Sequence, residues 1–212
     1  MRTIAIDAMG GENAPEAIIE AVLKAKGEMP DTKFLLFGDK EQLRKLIPAD
    51  QINDQLGVVS TTEIIEDEDE PVRAIRKKKD SSMVVAANYV KEGKADALLS
   101  LGNTGALLAC GIFIIGRIKG IVRPGLMPTL PAQNSDDGFN MVDVGANAKS
   151  KPEYLLQWAQ MASYYAEKIR GIENPRISLL NVGAESDKGD DVHQQAYQLL
   201  KDSSLNFQGN IE

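Results

Sequence analysis

Residues 95–105, ADALLSLGNTG, place a short apolar run directly before a polar side chain and a glycine-containing loop. Ser100 ends the apolar run, and the loop that follows reaches Gly105. The apolar run has the length and composition of a buried strand, and a helical pattern begins at Thr104. This order of strand, glycine loop and helix is typical of an α/β protein with a parallel sheet.

The same alternation continues along the chain. Six short apolar runs predict strands at residues 3–7, 33–38, 57–61, 95–100, 139–144 and 177–182. Five amphipathic stretches predict helices at residues 15–26, 40–47, 83–92, 104–118 and 152–170. We therefore predict a three-layer α/β/α fold with a mostly parallel sheet, formed by residues 1–212 as a single unit.

The composition excludes several classes of function. The chain has 31 Asp and Glu against 24 Lys and Arg, a net charge of −7, so nucleic acid is not an expected partner. Cys110 and His193 are the only residues of their types. A disulfide framework, a Cys/His zinc site and a Cys–His nucleophile pair are therefore not expected, and a lone thiol fits the reducing cytosol. We expect no metal and no cofactor.

Four of the predicted strands end in the same way. Asp7, Ser100, Asp143 and Asn181 each close an apolar run and enter a loop that contains glycine. Such carboxyl ends lie along one rim of an open α/β sheet, where ligands bind. Glycines let the backbone approach a ligand, and helix N-termini favour anions, so phosphate is the expected ligand. A glycine turn that serves only the fold is the alternative for each loop taken alone.

Carboxylates among these loops complicate an anion site, because they repel phosphate. Asp7, Asp143 and Glu185 can instead orient loop amides, hold Lys or Arg, or carry a metal ion, and the sequence does not choose among these. Neither a GxxxxGK[ST] motif nor a GxGxxG motif after a strand is present. Their absence argues against an ATPase or a dinucleotide-binding protein.

An acidic run followed by a basic run has two interpretations. Acidic side chains fill most of residues 63–70, and five cations follow between Arg73 and Lys79. A loop leading into a helix with solvated cations is one interpretation. The other is a basic docking site for an acidic partner protein or a phosphate.

Five motifs, in order along the whole chain, resemble the bacterial phosphate acyltransferases. They read DAMGGENAP (7–15), EPVRAIRKKKDSSM (70–83), SLGNTGAL (100–107), VDVGANAKSKPEYLLQWAQM (142–161) and NVGAESDKG (181–189). The resemblance implies transfer of a fatty acyl group from acyl carrier protein to inorganic phosphate, giving acyl phosphate for phospholipid synthesis. It also implies a fold similar to the isocitrate and isopropylmalate dehydrogenases and the phosphotransacetylases.

The resemblance further implies a homodimer in the cytoplasm, with peripheral membrane association and a glycerol-phosphate acyltransferase as a partner. Glu12, Asn13 and Val142 depart from the usual family residues, which places a catalytic role of position 13 in doubt. Family members are about half as long again. We therefore expect residues 1–212 to be the N-terminal two thirds of a longer catalytic domain, whose C-terminal part is missing.

A phosphate that attacks the thioester directly needs no protein nucleophile, which fits a chain poor in Cys and His. The enzyme then supplies an anion cradle and donors for the developing oxyanion. We expect the catalytic residues to be Ser100, Asn103, Thr104 and Asp143. We expect phosphate and substrate to bind at Asp7, Gly10, Gly11, Gly105, Gly145, Asn147, Asn181 and Lys188. Arg73, Arg76, Lys77 and Lys78 are expected to bind the partner protein or phosphate.

Other interpretations remain open at this point. The apolar residues 105–115 are expected to form a core helix, with the wall of an acyl groove or a membrane span as alternatives. Cys110 is expected in the core and His193 on the surface. Two further functions compete with acyl transfer: a noncatalytic scaffold that binds acyl carrier protein and membrane partners, and an NAD-dependent hydroxy-acid dehydrogenase.

Overall fold

The computed structural model describes residues 1–133 and 135–212, and they form two compact units. Unit 1 is Met1–Arg117 and unit 2 is Ile118–Glu212. Each unit is described by itself below. The expectation that residues 1–212 form one α/β/α unit stays a prediction.

Unit 1 alternates strands with helices. Its strands are β1 (Arg2–Asp7), β2 (Thr32–Gly38), β3 (Leu56–Ser60) and β4 (Ala97–Leu99). Its α-helices are α1 (Glu16–Glu28), α2 (Lys40–Leu46), α3 (Pro71–Lys77), α4 (Ser82–Lys91) and α5 (Thr104–Cys110), with a 3-10 turn at Ala49–Gln51 and a π-helical turn at Gly111–Ile115. Four predicted strands and four predicted helices of this unit are confirmed, and most of their ends agree within two residues.

The four strands form one parallel sheet in the order β3-β2-β1-β4. Strand β1 lies inside the sheet, with Ile6 beside Leu36 of β2 and beside Leu99 of β4. Because β1 and β4 are parallel neighbours, their carboxyl ends meet at the same edge. The loops that follow Asp7 and Leu99 are therefore close together, as the parallel sheet predicted.

Both faces of β1 and β2 are covered by packed side chains. Ile6 and Leu36 pack on one face with Ile18 and Val22 of α1. Ala5 and Phe37 pack on the other face with α4, where the ring of Tyr89 meets that of Phe37 edge-on at 4.8 Å between centroids. Neighbouring residues of β1 and β2 thus serve opposite faces, as the two-residue period of a strand requires. These two layers hold the loop-bearing edge of the sheet in place.

The core helix expected over residues 105–115 is confirmed only as far as Cys110, because none of residues 111–115 is buried and Phe113 is 58% exposed. Ala106, Ala109 and Cys110 are buried against α3 and α4. The α-helical part ends at Cys110, a π-helical turn continues to Ile115, and Gly116, with φ +97°, ends the helical segment. Among the described residues, every helix is too short or too polar to span a bilayer.

The described residues of unit 2 form two pairs of strands and two helices. Strands β5 (Thr129–Ala132) and β6 (Ser135–Asn140) are antiparallel, and β7 (Arg176–Leu180) and β8 (Asn206–Ile211) are parallel. Helix α6 (Pro152–Lys168) precedes β7, and α7 (Asp191–Lys201) connects β7 to β8. Leu179 of β7 packs with Ala159 of α6 and Leu200 of α7 in the core. The predicted helix 152–170 and strand 177–182 are confirmed, each with a shorter C-terminal end.

The predicted strand 139–144 is wrong. Strand β6 ends at Asn140 and pairs with β5 in an antiparallel hairpin. Prolines at positions 124, 128 and 131 lie in the segment opposite, and they cannot donate to a strand ladder. Only isolated backbone bonds continue the pairing, from Met141 N–H to Pro128 O and from Val144 N–H to Leu126 O. Asp143 therefore lies in an irregular loop and does not end a strand.

Candidate functional site

A chain of hydrogen bonds joins the loops that follow β1 and β4. The Asp7 side chain is 2% exposed, and its Oδ2 accepts from Ser100 Oγ at 2.7 Å. Ser100 Oγ in turn accepts from the Gly102 N–H at 3.1 Å, and Asp7 Oδ1 accepts from the Met9 N–H at 3.3 Å. Of the roles left open for Asp7, the geometry favours orientation of loop groups, because its partners are a hydroxyl and an amide.

Glycine is required where these two loops cross. A Cβ on Gly10 would lie 2.4 Å from Asp7 Oδ2, and a Cβ on Gly102 would lie 2.9 Å from the Gly10 Cα. Gly11 has φ +114°, which other residues rarely adopt. The two backbones are therefore in direct contact, and a side chain on Gly10 or Gly102 would push them apart.

The crossed loops form one side of a cleft of about 530 Å³ in unit 1. The predicted residues Gly10, Gly11, Asn103 and Thr104 line this cleft. Ser100 and Asp7 lie behind the lining loops, and Gly105 follows Thr104 at the start of α5. The structure thus brings these seven predicted residues together, at the loops that follow β1 and β4.

Three further polar residues, not predicted from the sequence as site residues, line this cleft. Glu12, Asn13 and Asp67 contribute to its walls. Glu12 and Asn13 directly follow the Gly10–Gly11 pair, so their place in this glycine loop could have predicted that they line the cleft. Asp67 belongs to the acidic run, where its charge suggested only a solvated loop, and no sequence signal places it beside α5.

Asn103 has both ends of its side chain engaged within the protein. Its Oδ1 caps α5 by accepting from the Ala106 N–H at 2.9 Å. Its Nδ2 lies 3.1 Å from each of three backbone carbonyls, those of Glu66, Asp67 and Asp69. This geometry favours a role in holding the loop at 66–69 against α5, and a direct phosphate contact by the Asn103 side chain stays a prediction.

The backbone amides next to Asn103 are free to bind a ligand. Within the described residues, the N–H groups of Thr104 and Gly105 have no hydrogen-bond partner. Thr104 is exposed, so its hydroxyl and amide are accessible from the cleft. A Cβ on Gly105 would lie 2.6 Å from Pro71 Cγ, so α3 begins directly beside α5.

The four predicted partner-binding cations differ in their surroundings. Arg73, Arg76 and Lys77 are exposed on α3, and within the described residues none of them has an ion-pair partner. Lys78 is half-buried, and its Nζ lies 2.5 Å from Asp69 Oδ2 and 2.7 Å from Ile64 O. The exposed basic face of α3, defined by Arg73, Arg76 and Lys77, is thus separate from the internal contact of Lys78.

In unit 2, the Asp143 carboxylate organises its own loop. It accepts from the N–H groups of Leu126, Ala146 and Asn147 at 2.8 to 3.0 Å, and from Asn147 Nδ2 at 2.9 Å. Burial raises the pKa of Asp143, but the four hydrogen bonds outweigh burial and hold the pKa below its usual value. Asn147 also donates to Pro124 O, and Gly145 between them has φ +127°. Asp143, Gly145 and Asn147 therefore form one group.

Asn181 and Lys188 form a second group in unit 2. Asn181 Nδ2 donates to the Lys188 carbonyl at 3.0 Å, and Asn181 Oδ1 accepts from the Val182 N–H at 2.9 Å. Gly189 is needed here, because its φ is +86° and a Cβ would lie 2.5 Å from Asn181 Oδ1. The Lys188 side chain is exposed. The expectation that the groups of unit 2 share a rim with Asp7 and Ser100 stays a prediction.

The lone cysteine and the lone histidine differ in burial. Cys110 is fully buried, which confirms its predicted place in the core, and burial raises the pKa of its thiol to about 12, with a further contribution from the charge of Asp7. His193 is half-buried, and its Nδ1 lies 2.6 Å from Asp190 Oδ1. That hydrogen bond is the main cause that holds the pKa of Asp190 below its usual value. Among the described residues, no group of three or more His, Cys, Asp or Glu side chains is placed to hold a metal ion.

The profile of the protein family described as "Fatty acid synthesis protein" matches residues 2–212. The chain belongs to this family. It is 91% identical over 212 residues to a protein from Lactobacillus helveticus named "Phosphate acyltransferase". This match covers 100% of this chain and 64% of the relative. A protein of the same name from Lactobacillus delbrueckii subsp. bulgaricus is 74% identical over the same shares. The resemblance drawn from the five motifs is confirmed.

Solved structures agree with the fold of this fatty acid synthesis family member. A phosphotransacetylase from Streptococcus pyogenes matches with a TM-score of 0.71 at 18% identity, over 100% of this chain and 68% of that one. A branched-chain phosphotransacylase from Enterococcus faecalis matches with a TM-score of 0.60 at 18% identity, over the same shares. At this identity the likeness concerns the fold alone. It confirms the mixed α/β architecture with a mostly parallel sheet and the likeness to phosphotransacetylases.

The chain spans 64% of the length of the curated relatives described above. The family and the names of these relatives give no support to the dehydrogenase alternative.

Proposed function

We propose that the chain forms the major part of an acyltransferase that moves a fatty acyl group from acyl carrier protein to inorganic phosphate. The product is an acyl phosphate for phospholipid synthesis. The observation that carries the proposal is the cleft of unit 1, where Asp7, Ser100 and Gly102 fix two crossed glycine loops beside free backbone amides. The high identity to proteins named phosphate acyltransferase supports phosphate as a substrate for this cleft.

In the proposed reaction a phosphate oxygen attacks the thioester carbonyl carbon. The new carbon–oxygen bond forms, the carbon–sulfur bond breaks, and the thiol of acyl carrier protein leaves as thiolate and takes a proton from water. A phosphomonoester has a second pKa of about 6, and inorganic phosphate near neutral pH is likewise a multiply charged nucleophile. No protein nucleophile is needed. The buried Cys110, with a thiol pKa of about 12, supports a reaction without one.

The proposed phosphate contacts are the hydroxyl and N–H of Thr104, the N–H of Gly105 and the backbone of Gly10 and Gly11. Donors of this kind are worth about 3 to 4 kcal/mol each when they face a developing oxyanion in a fixed site. Ser100 and Asp7 orient the Gly102 amide and the crossing of the loops. Asn103 acts mainly as a positioning residue in this scheme, because its side chain is already bound.

The predicted residues of unit 2 are also part of the proposal. Asp143 orients the amides of its own loop, while Gly145, Asn147, Asn181 and Lys188 contact substrate. The proposed fold is an α/β/α fold like that of the isocitrate and isopropylmalate dehydrogenases, and the proposed assembly is a homodimer.

The exposed basic face of α3 is the proposed docking site for acyl carrier protein. Arg73, Arg76 and Lys77 are exposed and form no ion pair among the described residues, so they are available to an acidic partner protein. The proposal places the protein in the cytoplasm, with peripheral contact to the membrane. A glycerol-phosphate acyltransferase then consumes the acyl phosphate.

Transfer of labelled phosphate tests the proposal. Purified protein is incubated with long-chain acyl carrier protein and ³²P-phosphate, and labelled acyl phosphate is extracted into organic solvent and cleaved with hydroxylamine as a check. We expect incorporation that depends on both substrates. A noncatalytic scaffold, the alternative that the exposed basic face of α3 favours, binds acyl carrier protein but gives no label above buffer.

A further inference from the structure

Lys78 differs from the other cations of its segment because it holds a turn of the protein itself. Its Nζ lies 2.5 Å from Asp69 Oδ2 and 2.7 Å from Ile64 O. Asp69 Oδ2 also accepts from the Glu66 N–H at 2.8 Å, and the Asp69 N–H donates to Glu66 O at 3.2 Å. The turn from Glu66 to Asp69 is thus closed by Asp69 and fastened by Lys78.

The same turn is bound from the cleft side by Asn103. Its Nδ2 lies 3.1 Å from the carbonyls of Glu66, Asp67 and Asp69, and its Oδ1 caps α5. Asn103 and Asp67 both line the cleft. A continuous set of contacts therefore runs from the Lys78 ammonium through the turn to the wall of the cleft and the start of α5.

We infer that Lys78 is a positioning residue for the cleft of unit 1, because its ammonium group holds the turn at 66–69 on which Asn103 and the start of α5 rest. This inference deepens the proposed function and rests on it for the identity of the ligand. It separates Lys78 from Arg73, Arg76 and Lys77, which face solvent. Lys78 then governs how the cleft binds phosphate, whereas the exposed basic face of α3 governs how the protein meets acyl carrier protein.

The charges of the pair support this role. The hydrogen bond from Lys78 is the main cause that holds the pKa of Asp69 below its usual value, and the Glu66 N–H lowers the pKa further. The Asp69 carboxylate is therefore charged across the neutral range, and the Asp69 and Lys78 side chains are each less than one third exposed. A neutral residue at position 78 would leave Asp69 without its cation and Ile64 O without its donor.

The test compares Lys78→Met with Lys79→Met, a matched control that removes the same charge at an exposed neighbour. For Lys78→Met we expect a rise of at least fivefold in the KM for phosphate, with the KM for acyl carrier protein changed less than twofold. Lys78→Arg should restore most of the loss, because a guanidinium can donate to both acceptors. A double-mutant cycle with Asp69→Asn should show that the second change adds little to the first.

Hydrogen exchange of the same variants tests the structural step independently of activity. In Lys78→Met we expect the amides of residues 66–69 to exchange at least tenfold faster, with those of β1 and β2 unchanged; Lys79→Met should match the wild type. Unchanged exchange at 66–69, or a rise only in the KM for acyl carrier protein, would overturn the inference. If the wild type forms no acyl phosphate, the proposed function fails, while the exchange result and phosphate titration still decide the role of Lys78.

Discussion

Asp7 and Asp143 each precede a glycine loop, yet the two carboxylates bind different kinds of partner. Asp7 ends an inner strand of the parallel sheet, is 2% exposed, and reaches across to Ser100 in the loop after the neighbouring strand. Asp143 follows a strand that has already ended, and its four hydrogen bonds all close the loops around it. The Asp7 carboxylate thus connects two loops that follow neighbouring strands, whereas the Asp143 carboxylate holds together a single region of irregular backbone.

This difference separates what each aspartate contributes. The position of Asp7 depends on the order of the strands, so its loss should disturb the crossing of two loops and hence the cleft. The position of Asp143 depends on local amides, so its loss should appear first as lower stability of unit 2. Substitutions in the two regions should therefore differ in what they change, the rate of acyl transfer in unit 1 and stability in unit 2.

Gly102→Ala should have the largest effect, a loss of at least 100-fold in the rate of acyl-phosphate formation. The added Cβ would lie 2.9 Å from the Gly10 Cα, so the two loops tied by Asp7 and Ser100 must separate. Gly27→Ala in α1 is the matched control, since nothing lies within 4 Å of its Cβ, and it should gain about 0.5 to 1 kcal/mol of stability. Near-wild-type turnover of Gly102→Ala would show that the crossing is not part of the site.

Ser100→Ala should reduce the rate of acyl-phosphate formation about 10- to 100-fold. It should disturb the backbone less than Gly102→Ala does. It removes the hydroxyl that connects the buried Asp7 carboxylate to the Gly102 amide, a loss of about 1 to 3 kcal/mol for an unsatisfied buried group. Ser60→Ala, at the exposed end of β3, serves as control. Steady-state kinetics with both substrates measures the effect. Equal rates for the two variants would remove Ser100 from the mechanism.

Asp143→Asn should lower the free energy of unfolding of unit 2 by about 1 to 3 kcal/mol at neutral pH, because an amide satisfies fewer of the four donors. The folded pKa of Asp143 lies below the unfolded value of 3.8, so its contribution is present above that pH and is lost as the pH falls through the folded pKa. The difference in free energy of unfolding between wild type and variant should therefore disappear in acid. Trp158, the single tryptophan and part of α6, reports unfolding of this unit by fluorescence. A difference in free energy of unfolding that grows in acid would contradict this role of the Asp143 carboxylate.

His193→Gln should have the smallest effect, with the rate of acyl-phosphate formation changed less than twofold. The His193 side chain pairs with Asp190. In the variant, Asp190 still caps α7 by accepting from the backbone N–H of residue 193. Measured rates between pH 6 and 8 should run parallel for the two proteins. A large loss, or a pH profile that changes shape near the pKa of histidine, would mean that a protein base takes part.

Much of the fold could be predicted from the sequence, because buried strands and amphipathic helices leave clear periodic patterns. Strands β1 to β4 and the position of Asp7 follow from such patterns. Strands β5 and β8 were missed, since prolines at 128 and 131 disguise the first and a mixed polar sequence, NFQGNI, disguises the second. The false strand at 139–144 arose from an apolar pattern whose opposite segment lacks the donors for a ladder.

The candidate site was predictable in position but not in its contacts. Glycines after strands indicated where the backbone of Gly10 and Gly102 approaches a neighbour, since only glycine fits such a crossing. The tether from Asn103 to the turn at 66–69 was not predictable, because it joins residues more than 30 positions apart. The sequence also groups Lys78 with its exposed neighbours, because no sequence pattern shows that it pairs with Asp69, nine positions earlier in the chain.

Titration of the ¹⁵N-labelled protein with inorganic phosphate tests the central claim most directly, because each amide reports its own contact. We predict saturable shifts concentrated at the N–H groups of Gly10, Gly11, Thr104 and Gly105. These shifts should be lost in Gly102→Ala and kept in Gly27→Ala. Saturable shifts that avoid the cleft of unit 1, or no shifts at millimolar phosphate, would contradict the claim that this cleft binds phosphate.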